Sequence, residues 1–346
     1  MTSLTRHVRD RDRWLWAGLG LGVVAAGGVL QAVHTRRVSH DPERGPLTTP
    51  PEGRIRIVRS ADGTLLHAEV FGPEDGATVV LAHGWTEALQ YWIYVIRALS
   101  ERGYRVVAYD QRGHGKSESA SRGDYALERF GEDLEAVLTD CVPRGQRAIV
   151  AGHSLGAMSI VAWAGDHEVE PRVAAAALLN TGVADLIAEQ LLFPLPQIAQ
   201  TLNRTVATRR ILGSRAPLPR FSTPLSSALI RYVAFGPDAS PAQVAFYERM
   251  LVTSPPDARA KTGIAMSDMD LQHALPRLTV PTIVIAGAND RLTPPSHAVR
   301  IAGMLPQLHR LTVLPDTGHM APLERAHEVI AALVELATLT VERVAA

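Results

Sequence analysis

Between residues 14 and 33 no side chain is charged, and twenty consecutive uncharged residues are long enough to span a bilayer as a helix. Arg6, Arg9, Arg11 and Arg13 precede this run, and Arg36, Arg37 and Arg44 follow it. Trp14 and Trp16 stand at its start, where an amphipathic ring favours the interface. The pattern predicts a basic tail over 1–13 and a single-pass anchor over 14–33. The apolar stretch is long and no small-x-small site closes it, which favours an uncleaved anchor over a secretory signal. Four arginines before the run against three after it predict an inside amino terminus and an extracytoplasmic catalytic domain, secretion after cleavage being the alternative. Residues 34–53, polar and carrying Pro42, Pro46, Pro50 and Pro51, read as a linker.

Past residue 54 the periodicity changes. Residues 54–60 and 64–71 are short β-like runs joined through Ala61-Asp62-Gly63, a hairpin turn signal. Continuous apolar runs follow at 78–82, 105–109, 148–151, 173–180, 281–287 and 310–314. Helical spacing lies between several of them, as in Leu127, Phe130, Leu134, Val137 and Leu138. Alternation of strand and helix predicts an α/β fold with a mostly parallel sheet flanked by helices. The rhythm stops over 182–274, where 186–200, 226–235, 241–252 and 257–274 read as helices and Ser240-Pro241 as a cap followed by a first-turn proline. The division expected is therefore a core over 54–181 and 275–346, interrupted by a helical cap over 182–274.

Composition narrows this picture slightly. Lys plus Arg and Asp plus Glu are each 35 among 346 residues, and a balanced charge argues against a nucleic-acid partner. The single cysteine, Cys141, forms no internal disulfide and reads as an inert thiol. No metal cluster or cofactor fingerprint is visible.

Candidate chemistry sits at the strand ends. The run 148–151 flows directly into Gly152-His153-Ser154-Leu155-Gly156 and then into a small-residue helical pattern. A serine lifted onto a strained strand-to-helix turn exposes its hydroxyl, and the flanking glycines remove side chains that would collide there. Ser154 is thereby the candidate nucleophile. Gly115-Lys116-Ser117 ends like a phosphate-binding loop, but Asp110 stands where that motif requires its first glycine. Other strands deliver His83-Gly84-Trp85, Asn289-Asp290-Arg291 and Asp316-Thr317-Gly318-His319 to the same edge, so that Ser, Asp and His follow in order.

With its Gly-His-Ser-Leu-Gly elbow, early His-Gly turn, Gly-Ala-Asn-Asp-Arg loop and late Gly-His, the chain from residue 54 onward resembles the α/β-hydrolase superfamily. It is most similar to the capped lipase or esterase and haloperoxidase-like branch. The resemblance implies Ser154 as nucleophile, His319 as its general base and Asp290 as the carboxylate that holds the imidazole. Of the competing histidines, His153 points elsewhere on the turn, His114 lies on a structural loop, and His297, His309 and His327 fall within or beside helix and strand patterns. Asp316 shapes the turn before His319, and Asp268 and Asp270 lie in the insertion. The strand ending at Asn180-Thr181 supplies no carboxylate, so no other acid placement is available. Main-chain amides of Trp85 and Leu155 are the candidate oxyanion donors, with His83 supporting the turn.

The leading expectation is a hydrolase of carboxylic esters acting through an acyl-serine intermediate, on a small-molecule or lipid ester near a membrane. The same triad supports acyl transfer, thioester or carbon–carbon hydrolysis, or perhydrolase activity. A serine nucleophile argues against the dehalogenase and epoxide hydrolase chemistries that an aspartate would indicate. A noncatalytic binding protein on the same fold is the reading of another class. No cofactor is expected.

Overall fold

The computed structural model describes residues 27–186 and 209–345. Eight strands form one sheet: β1 (Arg54–Arg59), β2 (Leu65–Phe71), β3 (Thr78–Ala82), β4 (Arg105–Tyr109), β5 (Ala148–His153), β6 (Val173–Leu179), β7 (Thr282–Gly287) and β8 (Leu308–Leu314). Their order is β1-β2-β4-β3-β5-β6-β7-β8. The β1–β2 and β2–β4 pairs are antiparallel and the other pairs parallel. The expected hairpin forms through Asp62-Gly63, where Gly63 takes φ 91° and Ser60 N–H donates to Thr64 O at 2.9 Å.

Alternation within the strands divides the core into two layers. Val79 and Leu81 join Ile149, Ala151, Ile283 and Ile285 under helices α1 (Ile93–Glu101) and α8 (Ala326–Ala345). Val80 and Ala82 join Val150, Ala176 and Val284 under α2 (Leu127–Cys141) and α3 (Leu155–Asp166). Successive strand side chains point to opposite faces, so a strand buried on both sides must be apolar throughout. The chain leaves β3 for β4 on one side and returns to β5 on the other. The crevice beyond the carboxyl ends of β3 and β5 is thus a switch point of the sheet.

Between β6 and β7 the described residues form helices α4 (Pro224–Ala234), α5 (Pro241–Thr253) and α6 (Pro256–Asp268). Ser240 caps α5 as its sequence indicates: its hydroxyl accepts Gln243 N–H while Gln243 reaches back to Ser240 N–H. Thr223 and Ser226 form the same box on α4. The helix expected over 257–274 stops at Asp268, because Asp270 turns the chain by accepting Gln272 N–H at 3.0 Å. The helix expected over 186–200 lies outside the described residues from 187 onward. Helix α7 (Pro295–Met304) follows β7.

The amino-terminal region differs from the expected tether. Residues 27–39 are helical and Arg44–Thr48 make a short helix. Leu47 is buried, Asp41 accepts Ala242 N–H at 3.0 Å, and Arg97 binds the carbonyls of Pro46 and Thr49. One apolar side chain in a core pocket and carbonyls freed by neighbouring prolines are enough to fasten a segment whose composition is polar. Among the described residues no helix is long and apolar enough to cross a membrane. Residues 1–13 and 14–26, the tail and most of the expected anchor, lie outside them.

Candidate active site

At the end of β5 the chain turns sharply into α3, and Ser154 takes φ 50° and ψ −115°, a conformation that an L-residue adopts only under constraint. The constraint is close packing. A Cβ on Gly156 would lie 2.1 Å from Ala82 O, and one on Gly152 would lie 2.4 Å from Ala157 N. Both glycines are therefore required by contact, as the sequence implies.

His319 Nδ1 lies 2.8 Å from Asp290 Oδ2. The Asp290 carboxylate also accepts the main-chain N–H groups of Leu292 and Thr293, the Thr293 hydroxyl at 2.9 Å and the Asn180 amide at 3.1 Å. Burial alone would raise an Asp290 pKa, but the His319 charge and these donors outweigh it and hold the carboxyl below its ordinary range. Burial likewise works against a charged His319, and the Asp290 charge and hydrogen bond overcome it, raising the imidazole pKa. With Nδ1 committed to Asp290, the proton-accepting nitrogen left to His319 is Nε2. Ser154 and His319 line one cavity of about 450 Å³.

Two peptide planes at this cavity are fixed by their carbonyls. Gly84 O accepts from His83 Nδ1 at 2.7 Å and from Glu87 N–H at 3.3 Å. Ser154 O accepts from Thr181 Oγ1 at 2.9 Å and from the N–H groups of Ala157 and Met158. Among the described residues no peptide bond is cis, so the N–H groups of Trp85 and Leu155 point opposite to those pinned carbonyls. Leu155 N–H, moreover, opens α3 and so has no acceptor in a preceding helical turn.

His83 is fully buried and takes Gln111 N–H on Nε2 at 3.0 Å, so it stays neutral and braces the turn; burial and the nearby His114 keep its pKa well below 6.5. The Gly115-Lys116-Ser117 loop wraps a carboxylate of the chain itself: Asp110 accepts Lys116 N–H at 2.8 Å and Leu89 N–H at 2.7 Å. Cys141 is buried, which pushes its thiol up to about 11. Asp316 is an exposed turn residue at φ 49°. No cluster of His, Cys, Asp or Glu among the described residues is arranged to hold a metal.

Several contributors went unread in the sequence. Asn180 and Thr293 orient Asp290. Glu87 accepts Gly84 N–H at 2.5 Å and faces His153 Nδ1 at 3.0 Å, while the half-buried Glu324 carboxylate accepts the N–H groups of Gly236, Gly318 and Met320 around His319. The helices of the insertion grip the same turns. Trp85 Nε1 donates to Arg259 O at 2.9 Å, Tyr247 OH meets Thr86 Oγ1 at 3.1 Å, and His319 N–H donates to Ala234 O at 2.8 Å. A Glu three residues beyond a strand-end glycine was the only signal available for Glu87; Asn180 carried none, being the neutral residue that ruled out another acid.

A serine on a strand-to-helix elbow that shares a cavity with a His–Asp pair from later strand ends of a mostly parallel sheet defines the α/β-hydrolase class. Residues 77–326 match the family described as alpha/beta hydrolase fold, and the chain belongs to it. It is 27% identical over 271 residues to a non-heme haloperoxidase of Rhodococcus erythropolis, covering 76% of this chain and 92% of that one. It is 28% identical over 325 residues to epoxide hydrolase A of Mycobacterium tuberculosis, covering 80% and 95%. Among solved structures, an esterase from Thermogutta terrifontis superposes with a TM-score of 0.66 at 22% identity, covering 83% of this chain and 99% of the esterase.

Proposed function

We propose that this hydrolase cleaves carboxylic esters through an acyl-serine intermediate formed on Ser154. The observation that carries the reading is the placement of Ser154 and the Asp290-bound His319 on one cavity, at 2.8 Å between Nδ1 and Oδ2. His319 Nε2 takes the proton of Ser154 as Oγ attacks the acyl carbon, and the imidazolium so formed is stabilised by Asp290. The amides of Trp85 and Leu155 donate to the oxyanion. Collapse breaks the bond to the alkoxide, which leaves with the proton from His319. Water, deprotonated by the same nitrogen, then attacks the acyl carbon and releases the acid and Ser154.

The similarity to an epoxide hydrolase does not extend to its substrate in this reading. Serine attack on an epoxide carbon would form an ether, which has no carbonyl for water to attack, and turnover would stop.

The apolar lining of the cavity, with Met158, Leu229, Ile230 and Leu251 around the polar centre, supports a lipophilic acyl or alkyl group. Together with the charge-free run over 14–33 it supports an anchored enzyme with an extracytoplasmic catalytic domain acting on lipid esters. Hydrolysis of a chain-length series of nitrophenyl esters by wild type and Ser154→Ala tests the chemistry. A loss on the order of 10⁴-fold supports it, whereas equal rates overturn it.

A further inference from the structure

Large apolar side chains on one side of the insertion are unusually bare: Phe221, Leu225 and Leu229 are 69%, 80% and 60% exposed. Leu225 and Leu229 are one turn apart on α4, and Leu229 also lines the cavity that holds Ser154, so the stripe begins at the rim of the site. Its other end reaches the amino-terminal helix. Gln31 donates to Ser222 O at 2.9 Å and His34 Nε2 meets Ser222 Oγ at 3.0 Å, while Val29, Leu30 and Val33 of that helix are exposed. The first half of that helix, residues 27–33, is the carboxyl end of the charge-free run that starts at Trp14.

Beside this junction lies a cleft of about 440 Å³, to which Arg44, Arg220 and Arg249 contribute together with His34. All three arginines are exposed, and none is ion-paired with a carboxylate among the described residues. The acidic side chains nearby are occupied within the chain: Glu248 by the Ser222 hydroxyl, Asp41 by Ala242 N–H and Glu43 by the Tyr94 hydroxyl. Partial burial, and to a lesser extent the charge of Arg44, lowers the pKa of Arg249.

We infer that the stripe Phe221–Leu225–Leu229 and the collar of Arg44, Arg220 and Arg249 form one docking surface for an anionic phospholipid bilayer. The apolar side chains enter the acyl boundary and the guanidinium groups meet lipid phosphates. Exposed leucines beside uncompensated arginines match the layered chemistry of that surface. Continuity with residues 14–33 places the surface where the membrane lies in the anchored reading, on which this inference rests. The cavity rim at Leu229 then opens onto the bilayer, and ester substrates enter from the lipid without crossing water.

The full chain is reconstituted into nanodiscs of phosphatidylcholine alone or mixed with phosphatidylglycerol, and hydrogen exchange is followed over 220–230. Wild type is expected to show protection in both lipids, strengthened roughly fivefold per arginine by the anionic one. Phe221→Gln/Leu225→Gln, at exposed positions just before α4 and in its first turn, lose the protection in both lipids. Arg44→Glu/Arg220→Glu/Arg249→Glu, which leaves α4 intact, loses only the response to charge. Identical exchange in wild type and both variants overturns the docking surface even though the chain has incorporated. A chain that fails to incorporate overturns the anchor and the docking together. Nitrophenyl ester hydrolysis by the same samples reports on the ester reading separately.

Discussion

His153 Nε2 lies 2.7 Å from the main-chain carbonyl of His319, so the residue before Ser154 holds the backbone of His319. A carbonyl only accepts, which puts a proton on Nε2 and leaves Nδ1 to share one with Glu87, 3.0 Å away. Glu87 in turn takes Gly84 N–H, so one buried pair joins the Trp85 turn, the elbow and the His319 loop. His153→Phe, which keeps a ring but strands the Glu87 carboxylate, is expected to cost about 3–5 kcal/mol in urea unfolding. Adding Glu87→Gln should recover a large part of that loss, and additive losses in the cycle would show that the two residues are not coupled.

In the proposed mechanism the acid limb of kcat/KM follows from His319. General-base action needs the neutral imidazole, and the Asp290 charge, working against burial, raises the pKa of that group above 6.5. Activity should therefore rise with pH through a midpoint above 6.5. Asp290→Asn should lower that midpoint and reduce kcat on the order of 10⁴-fold. Stability runs the other way for the histidine: a raised folded pKa stabilises the fold below the unfolded value near 6.5 and is lost as pH rises through the folded one. The lowered Asp290 pKa contributes above about 3.8 and is lost as pH falls through its folded value, so the pair contributes most between these limits. Urea midpoints of wild type and Asp290→Asn across pH 3–9 measure the window.

Gly156→Ala should remove the folded enzyme. The added methyl would stand 2.1 Å from Ala82 O in the centre of the sheet, where neither backbone can retreat. Gly303→Ala is the informative companion, since its Cβ would meet nothing within 4 Å on helix α7. Its expected effect is a gain of about 0.5–1 kcal/mol, read as a higher Tm with unchanged ester hydrolysis.

Arg112 is fully buried and grips Asp133 with two bonds, Nε to Oδ2 at 2.8 Å and Nη2 to Oδ1 at 2.7 Å. Arg112→Met leaves that carboxylate unpaired in the core and should cost about 3–5 kcal/mol, whereas Arg112→Met/Asp133→Leu should regain much of it. Denaturant midpoints of the two variants decide.

Legibility in the sequence tracked how local the cause was. The apolar run 148–151 followed by Gly-x-Ser-x-Gly specifies strand, turn and helix within ten residues, and the collisions that Gly152 avoids are built by that same turn, whereas Gly156 clears the Ala82 carbonyl of a strand distant in sequence. Ser240 and Gln243 are equally local. By contrast Asn180 meets Asp290 across 110 positions and Trp85 meets Arg259 across 174, and no periodicity carries such a pairing. Leu47 shows the limit from the other side. Its proline-bearing neighbourhood reads as a linker, and only the assembled surface of α1 and α5 reveals why it is fastened.

The bonds from Trp85 to Arg259, Thr86 to Tyr247 and His319 to Ala234 make the insertion and the reaction centre mechanically one body. Helices exchanged in from another hydrolase would have to bring a carbonyl, a phenol and a helix end to the same three points, or leave the turns that carry Trp85 and His319 unbraced. Substrate preference in this chain is therefore not a module that can be swapped; it is inherited together with the geometry that breaks the bond.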